Sequence, residues 1–260
     1  MHVMQMFDLT GQVAVITGAG NGLGYAFAEA IAEAGADVVC GDIDPRGNEI
    51  TAVRVRELGR RALAVKCDVT RENDVSALFD AANREFGRVD IAFANAGIAD
   101  PAPSLVHEYS TENWNMVVAV NLQGVFYTCR EALKTMVRQK SGNLINIASM
   151  WGLAGASSVL PIPAYNATKG AVVNLTRELA LQYAPHNIQV NAICPGFFRS
   201  RLAGGAYDDP DFVSVVSAFT PMGRVAEADE IKGTALYLAS AASSYTTGLM
   251  LVTDGGCMAK

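Results

Sequence analysis

The chain has 260 residues, 50% of them hydrophobic and 18% charged, a mixture that excludes disorder and provides for a large buried core. The formal net charge of -6 argues against recognition of nucleic acid or of an anionic membrane by charge. No apolar stretch is long enough to span a bilayer, and residues 1–10 lack a basic region followed by an apolar one, so no membrane partner and a cytoplasmic location are expected.

Short apolar runs alternate with longer helical patterns along the whole chain. Residues 13–17 read as a buried strand and 22–34 as a helix with Leu23, Phe27 and Ile31 on one face and Gly35 as its stop. A strand at 38–41 follows, then a helix opened by Asp44 and Pro45 and stopped by Gly59. Next come a strand at 63–66, a helix at 71–85, a strand at 91–94 and one long helical region at 111–139. Strands at 144–148, 189–193 and 249–252 and helices at 164–184 and 227–239 complete the series. Nearly every strand is apolar throughout, which suits a parallel sheet covered on both faces. The class is therefore α/β, a doubly wound parallel sheet. No linker, charge block or low-complexity run divides residues 1–260, so a single domain is expected. In such folds ligands bind beyond the carboxyl ends of the strands, which here means just after Thr17, Gly41, Lys66, Ala94, Ala148 and Ile193.

Five scattered cysteines, Cys40, Cys67, Cys129, Cys194 and Cys257, form no metal or disulfide pattern and read as buried free thiols. After the first strand stands Thr17-Gly18-Ala19-Gly20-Asn21-Gly22-Leu23-Gly24. Glycines there allow a tight turn and let backbone N–H groups approach a pyrophosphate at the helix start; without its setting the string is an ordinary strand–helix turn. Asp42 ends the second strand, where a carboxylate can accept both adenosine ribose hydroxyls and repel a 2′-phosphate, which predicts NAD; alternatively it only starts the turn that Asp44 caps.

Gly18, Gly22 and Gly24 resemble the Thr-Gly-x-x-x-Gly-x-Gly fingerprint of the short-chain dehydrogenase/reductase family, whose Rossmann fold the likeness implies over about residues 7–256. The resemblance extends NAD contacts to Asn21, Leu23, Ile43, Asp68, Val69, Asn95, Ala96, Gly97, Tyr165, Lys169, Pro195, Gly196 and Phe198. Asp68 also reads as a helix-entry cap shared with Thr70. Ala94 stands where the family usually has a first asparagine, which puts in doubt one hydrogen bond steadying the sheet; Ser200 keeps a hydroxyl where the family often has threonine.

Tyr165 and Lys169 are four residues apart on one helix face, so an ammonium can favour the phenolate. That spacing is common by chance, but Ser149 at a strand end and Asn121 inside a helical pattern accompany it. The order Asn121, Ser149, Tyr165, Lys169 resembles the family's catalytic tetrad, which implies that Tyr165 is the acid–base and that Asn121 holds a water linked to Lys169. The loop between Ser149 and Tyr165 is about three residues longer than the family's usual one, and Ser157 and Ser158 are alternatives to Ser149. The implied reaction is reversible alcohol/ketone interconversion on a small molecule. Similarity to gluconate 5-dehydrogenases points to a polyol, sugar or sugar acid; steroid and 3-oxoacyl reductases, or a non-catalytic NAD-binding regulator, remain open. Arg199, Arg201 and His107 read as surface groups with a possible role at the substrate end, and the family implies a homotetramer.

Overall fold

The computed structural model describes residues 2–200, 202 and 204–260; Arg201, one of the arginines read as near the substrate, lies outside them. The strands are β1 (Val13–Thr17), β2 (Asp37–Asp42), β3 (Ala62–Lys66), β4 (Ile91–Ala94), β5 (Gly142–Ile147), β6 (Ile188–Pro195) and β7 (Met250–Thr253). The helices are α1 (Gly22–Glu33), α2 (Pro45–Glu57), α3 (Glu72–Phe86), α4 (Thr111–Val118), α5 (Gly124–Gln139), α6 (Pro163–Tyr183), α7 (Pro210–Phe219) and α8 (Lys232–Ala239). The strands form one parallel sheet in the order β3-β2-β1-β4-β5-β6-β7.

The continuous apolar strands are explained by two cores, one on each face. In β1, Val13 and Val15 enter the first core and Ala14 and Ile16 the second, because successive strand side chains point to opposite faces. Helices α3, α5 and α6 cover the first face through Leu78, Phe79, Leu133, Met136 and Val172. Helices α1, α2 and α8 cover the other through Phe27, Ile31, Val55 and Leu238. Phe27 stacks on Phe93 of β4 with ring centroids 5.0 Å apart. Burying such a side chain stabilises the fold by roughly 1.5–3 kcal/mol. All five cysteines are buried free thiols. Among the described residues, no helix is long and apolar enough to cross a membrane and no group of side chains could hold a metal ion.

Three features differ from the sequence-based expectations. The region read as one helix over 111–139 is α4 and α5 joined by a π-helical turn at Ala119–Gln123. The helix read over 227–239 begins as a 3-10 turn, Ala228–Ile231, with α8 proper starting at Lys232. Helix α7 was not expected at all; Asp209 caps it by accepting from the Asp211 N–H at 2.9 Å, with Pro210 in its first turn.

Between β3 and β4 the chain crosses back over the sheet, so β1 and β4 lie side by side and their following loops diverge. The crevice opens at this switch point. Its floor leaves no space at Gly24, where a Cβ would lie 2.0 Å from the Gly18 carbonyl oxygen and 2.7 Å from Asn95 Nδ2. Gly24→Ala is accordingly expected to destabilise the protein by about 3 kcal/mol and to lower Tm by roughly 10 °C. Thermal denaturation checks this, and an unchanged Tm would show that the turn relaxes freely.

Candidate active site

A cavity of about 390 Å³ lies over the carboxyl ends of the strands at the β1/β4 switch point. Its lining includes every position assigned above to NAD: the turn residues Gly18, Asn21, Gly22, Leu23 and Gly24; Asp42 and Ile43 after β2; Asp68 and Val69 after β3; Asn95, Ala96 and Gly97 after β4; Tyr165 and Lys169 of α6; and Pro195, Gly196 and Phe198 after β6. Ser200 also lines it, as do Cys67, Ile98, Val120, Ile147, Ala148 and Leu202, which sequence reading did not single out. Apolar residues at strand ends carry no chemical signal to separate them from core.

The glycine turn suits a pyrophosphate. Gly18 and Gly22 have φ of 67° and 55°, which L side chains rarely adopt. Asn21, the N-cap of α1, makes no side-chain hydrogen bond to the first turn. The turn is fastened on both sides. Asp42 accepts from the Gly20 N–H at 2.7 Å through Oδ2 and from the Asp44 N–H at 2.8 Å through Oδ1. Asp42 thus supports the turn structurally, yet a carboxylate has lone pairs left for two ribose hydroxyls. Asn95 Nδ2 donates to the carbonyls of Thr17 at 2.8 Å and Gly18 at 3.0 Å, and the Asn95 N–H donates to Thr17 Oγ1 at 3.1 Å. This clip ties β4 to β1 beside Ala94, so the crevice is pinned despite the asparagine that Ala94 replaces. Asp68 does not cap α3, whose N-cap Arg71 has no side-chain cap; it holds the preceding turn, accepting from the N–H of Thr70 at 3.0 Å and from its hydroxyl at 2.7 Å.

Of the candidate catalytic groups, Tyr165 and Lys169 line the other end, while Ser149 and Asn121 are buried behind it and do not line the cavity. Proline at its first position pre-sets the entry of α6, which places Tyr165 and Lys169 one turn apart on its buried face. Lys169 is 3% exposed, donates through Nζ to the Ile147 carbonyl at 2.7 Å and lies 5.5 Å from the Tyr165 ring centroid. Burial holds its ammonium down, at about 8. Burial also pushes the Tyr165 hydroxyl up to about 12, the Ser149 hydroxyl opposing the shift and the Asp100 and Cys194 charges adding to it. The expectation that Lys169 lowers this hydroxyl is therefore corrected: burial, not Lys169, governs it, and the ammonium is aimed at the Ile147 carbonyl.

Ser149 follows β5 and accepts from the Trp151 N–H at 3.1 Å, which sets its side chain. Ser157 and Ser158 are exposed on the loop beyond, so Ser149 is the serine that stands with Tyr165. Asn121 sits wholly buried in the π turn. Such turns recur at functional sites. Its amide grips the backbone of Ile98, Oδ1 accepting from the N–H and Nδ2 donating to the carbonyl, each at 2.8 Å. A Cβ on Gly97 would meet Asn121 Oδ1 at 3.4 Å and Lys169 Nζ at 3.5 Å, so these two groups flank the same glycine. Arg199 is half exposed, paired with Glu227 at 3.2 Å and donating to the Tyr207 carbonyl at 2.8 Å; His107 is exposed beside Glu108. Neither lines the cavity.

Sequence reading missed Asp100, which is 5% exposed and accepts from the Tyr165 N–H at 3.3 Å. The two lie 65 residues apart in the chain, and no local pattern joins them.

A family model described as enoyl-(acyl carrier protein) reductase matches residues 18–258. The chain is 40% identical over 245 residues to the cis-4-hydroxycyclohexanecarboxylate dehydrogenase of Sinomonas cyclohexanicum, covering 94% of this chain and 96% of that protein. It is 33% identical to the 5-keto-D-gluconate 5-reductase of Escherichia coli K12, covering 97% and 98% of the two chains. A gluconate 5-dehydrogenase from Burkholderia cenocepacia J2315, solved in complex with NADP and tartrate, superposes with a TM-score of 0.92 at 34% identity over the whole of both chains. With its glycine turn, its parallel sheet and these likenesses along nearly its full length, the chain belongs to the short-chain dehydrogenase/reductase family of nicotinamide-dependent oxidoreductases.

Proposed function

We propose that the protein is an NAD-dependent oxidoreductase that interconverts an alcohol and a ketone, with Tyr165 as acid–base. The observation that carries this reading is that Tyr165 and Lys169 line one end of a cavity whose other end is the glycine turn and Asp42, with the Ser149 hydroxyl against Tyr165 just behind the lining. When bound, the nicotinamide takes or gives the hydride. In oxidation, the Tyr165 phenolate takes the proton of the substrate hydroxyl as the C–H bond releases its hydride. In reduction, the Tyr165 hydroxyl returns that proton to the developing alkoxide. Ser149 donates to the same oxygen and stabilises its charge. Lys169 holds a positive charge beside this proton path and can bind ribose hydroxyls.

The choice of NAD rests on Asp42. Its carboxylate is 7% exposed at the end of β2, and among the described residues lining the cavity Lys169 alone is positively charged. A 2′-phosphate next to Asp42 meets like charge. The Burkholderia enzyme nevertheless holds NADP, so the comparison of cofactors is the sharp test.

Whole-chain likeness to the E. coli and Burkholderia proteins supports a polyol, sugar or sugar acid as substrate. A second reading is favoured by what surrounds Tyr165. Met150, Trp151, Ala156, Ile162 and Cys257 are buried with it, and Val159, Leu160, Phe197, Phe219 and Met258 pack on them. A polyol needs a partner for each hydroxyl, whereas an alicyclic ring leaves little unpaired in such surroundings. The Sinomonas relative is named for an alicyclic substrate. Exposed Trp114, Met116 and Phe126 on α4 and α5 support the homotetramer.

Three outcomes are expected. Tyr165→Phe abolishes turnover of a panel of polyols, sugar acids and cyclohexanols while NADH binding, followed by fluorescence, persists; retained turnover sinks the assignment. The wild type shows kcat/KM with NAD roughly tenfold or more above that with NADP, since hydrogen bonds to a charged group contribute about 1.5–3 kcal/mol; a higher value with NADP refutes the Asp42 argument. Lys169→Met loses turnover yet gains stability. A lysine held at about 8 against an ordinary 10.5 destabilises the fold fully below pH 8 and progressively less as pH rises toward 10.5. The variant should therefore exceed the wild type by up to about 3 kcal/mol near neutrality, the gap closing on the alkaline side, as urea denaturation at several pH values can read.

A further inference from the structure

Helix α6 carries the reactive tyrosine but lacks a cap of its own. Ile162, its N-cap, makes no side-chain bond, and Pro163 has no N–H to satisfy. The missing acceptor comes from the loop after β4. Asp100 Oδ2 takes the backbone N–H of Tyr165 at 3.3 Å, and Asp100 Oδ1 takes the hydroxyl of Tyr109. A carboxylate at a helix start is also favoured by the helix dipole. The loop that brings Asp100 there is gripped two residues earlier, where Asn121 holds Ile98 by both backbone groups. A line of directed contacts thus runs from the π turn through Ile98 and Asp100 to Tyr165.

We propose that Asp100, braced by the Tyr109 hydroxyl, is a positioning residue for the reaction, anchoring the first turn of α6 at Tyr165 and presenting a fixed negative charge behind it. The proposal rests on the reading of Tyr165 as acid–base. Other groups face Tyr165 from their own elements: Lys169 on α6, Cys194 on β6, Ser149 after β5 and Tyr207 beyond β6. Asp100 differs from them in doing two things at once. It fixes the backbone from which the ring projects, and its charge opposes formation of the phenolate, adding to the effect of burial and acting against Ser149.

The sign of its effect on pH follows. In alcohol oxidation kcat/KM rises with pH as Tyr165 gives up its proton. Removing the Asp100 charge lets the phenolate form at lower pH, so the acidic limb moves down. Asp100→Asn, nearly isosteric, is expected to shift that limb downward by about one unit or less. Asp100→Ala, which removes both acceptors, should lower kcat on the order of ten- to a hundredfold with the KM for NAD within about twofold of wild type. A merely structural role would lower Tm and leave the limb in place. The experiment is the pH profile of kcat/KM for the wild type and Asp100→Asn, with kcat and KM of Asp100→Ala, beside Tyr165→Phe. If Tyr165→Phe keeps its turnover, the acid–base reading has failed; if Tyr165→Phe is dead and the Asp100→Asn profile coincides with the wild type, the proposal alone is overturned.

Discussion

At the carboxyl ends of β1 and β4 a single carboxamide spans the gap between the two strands. Asn95 leaves β4 and reaches the carbonyls of Thr17 and Gly18 at the end of β1, while Thr17 Oγ1 donates back to the Phe93 carbonyl at 3.2 Å. Here the chain, having run out to β3, returns to continue on the other side of β1. The switch point opens the crevice, and the clip keeps its two lips in register. Gly24 has no room for a Cβ because Gly18 and Asn95 stand against it. The glycine turn, the clip and the start of α1 are one packed unit, so the cavity depends on close backbone approach held by the Asn95 side chain.

The acid–base chemistry proposed for the other end depends on dryness. Tyr165 and Lys169 are both almost wholly buried, and burial moves them in opposite senses, the phenol up to about 12 and the ammonium down to about 8. Each shift disfavours the charged form. The groups that oppose this are few and directed: the Ile147 carbonyl accepts from Lys169, and the Ser149 hydroxyl favours the Tyr165 phenolate. In such surroundings every directed contact carries more weight than it does in water. Small displacements of the tyrosine therefore matter, and its helix start is held from outside by Asp100.

What the sequence revealed followed physical distinctness. Strands buried on both faces are apolar throughout, and β1 and β4 were legible to the residue. Strand β5 begins earlier than its apolar run because Asn143 is only partly buried at its entry, whereas β6 differs from the reading by one residue at its start and runs on to Pro195. Glycines at positive φ and Asp42 were legible because few residue types meet those demands. The π turn was not, since inserting one residue leaves the apolar spacing of α4 and α5 looking like a single helix. Asp100 was illegible for a different reason. A lone aspartate before a proline in a loop signals a turn, and only the fold carries it to the start of α6.

The glycine-turn end of the cavity and the apolar cluster behind Tyr165 are also built from different kinds of material. The end proposed for the dinucleotide consists of strand ends and one glycine turn locked by hydrogen bonds from the Asp42 and Asn95 side chains to its backbone. The surroundings of Tyr165 are assembled from separate segments: the short turn Met150–Gly152, the lengthened loop through Leu160 and Ile162, Phe197 after β6, Phe219 of α7 and Cys257 near the C-terminus. Trp151, Phe197 and Phe219 meet there with centroids 5.6 to 6.2 Å apart. Asp254 anchors the last of these segments, accepting from the Gly256 and Met258 N–H groups at 2.8 and 2.7 Å, and Gly196 abuts it so closely that a Cβ would lie 2.6 Å from its Cα. Side-chain contacts of this kind tolerate exchange of one apolar residue for another far better than a strand-end turn tolerates a Cβ. On the proposed reading, the apolar segments around Tyr165 are therefore the part free to change, while Asn95, Asn121 and Lys169 hold the backbone of Thr17, Gly18, Ile98 and Ile147 in place.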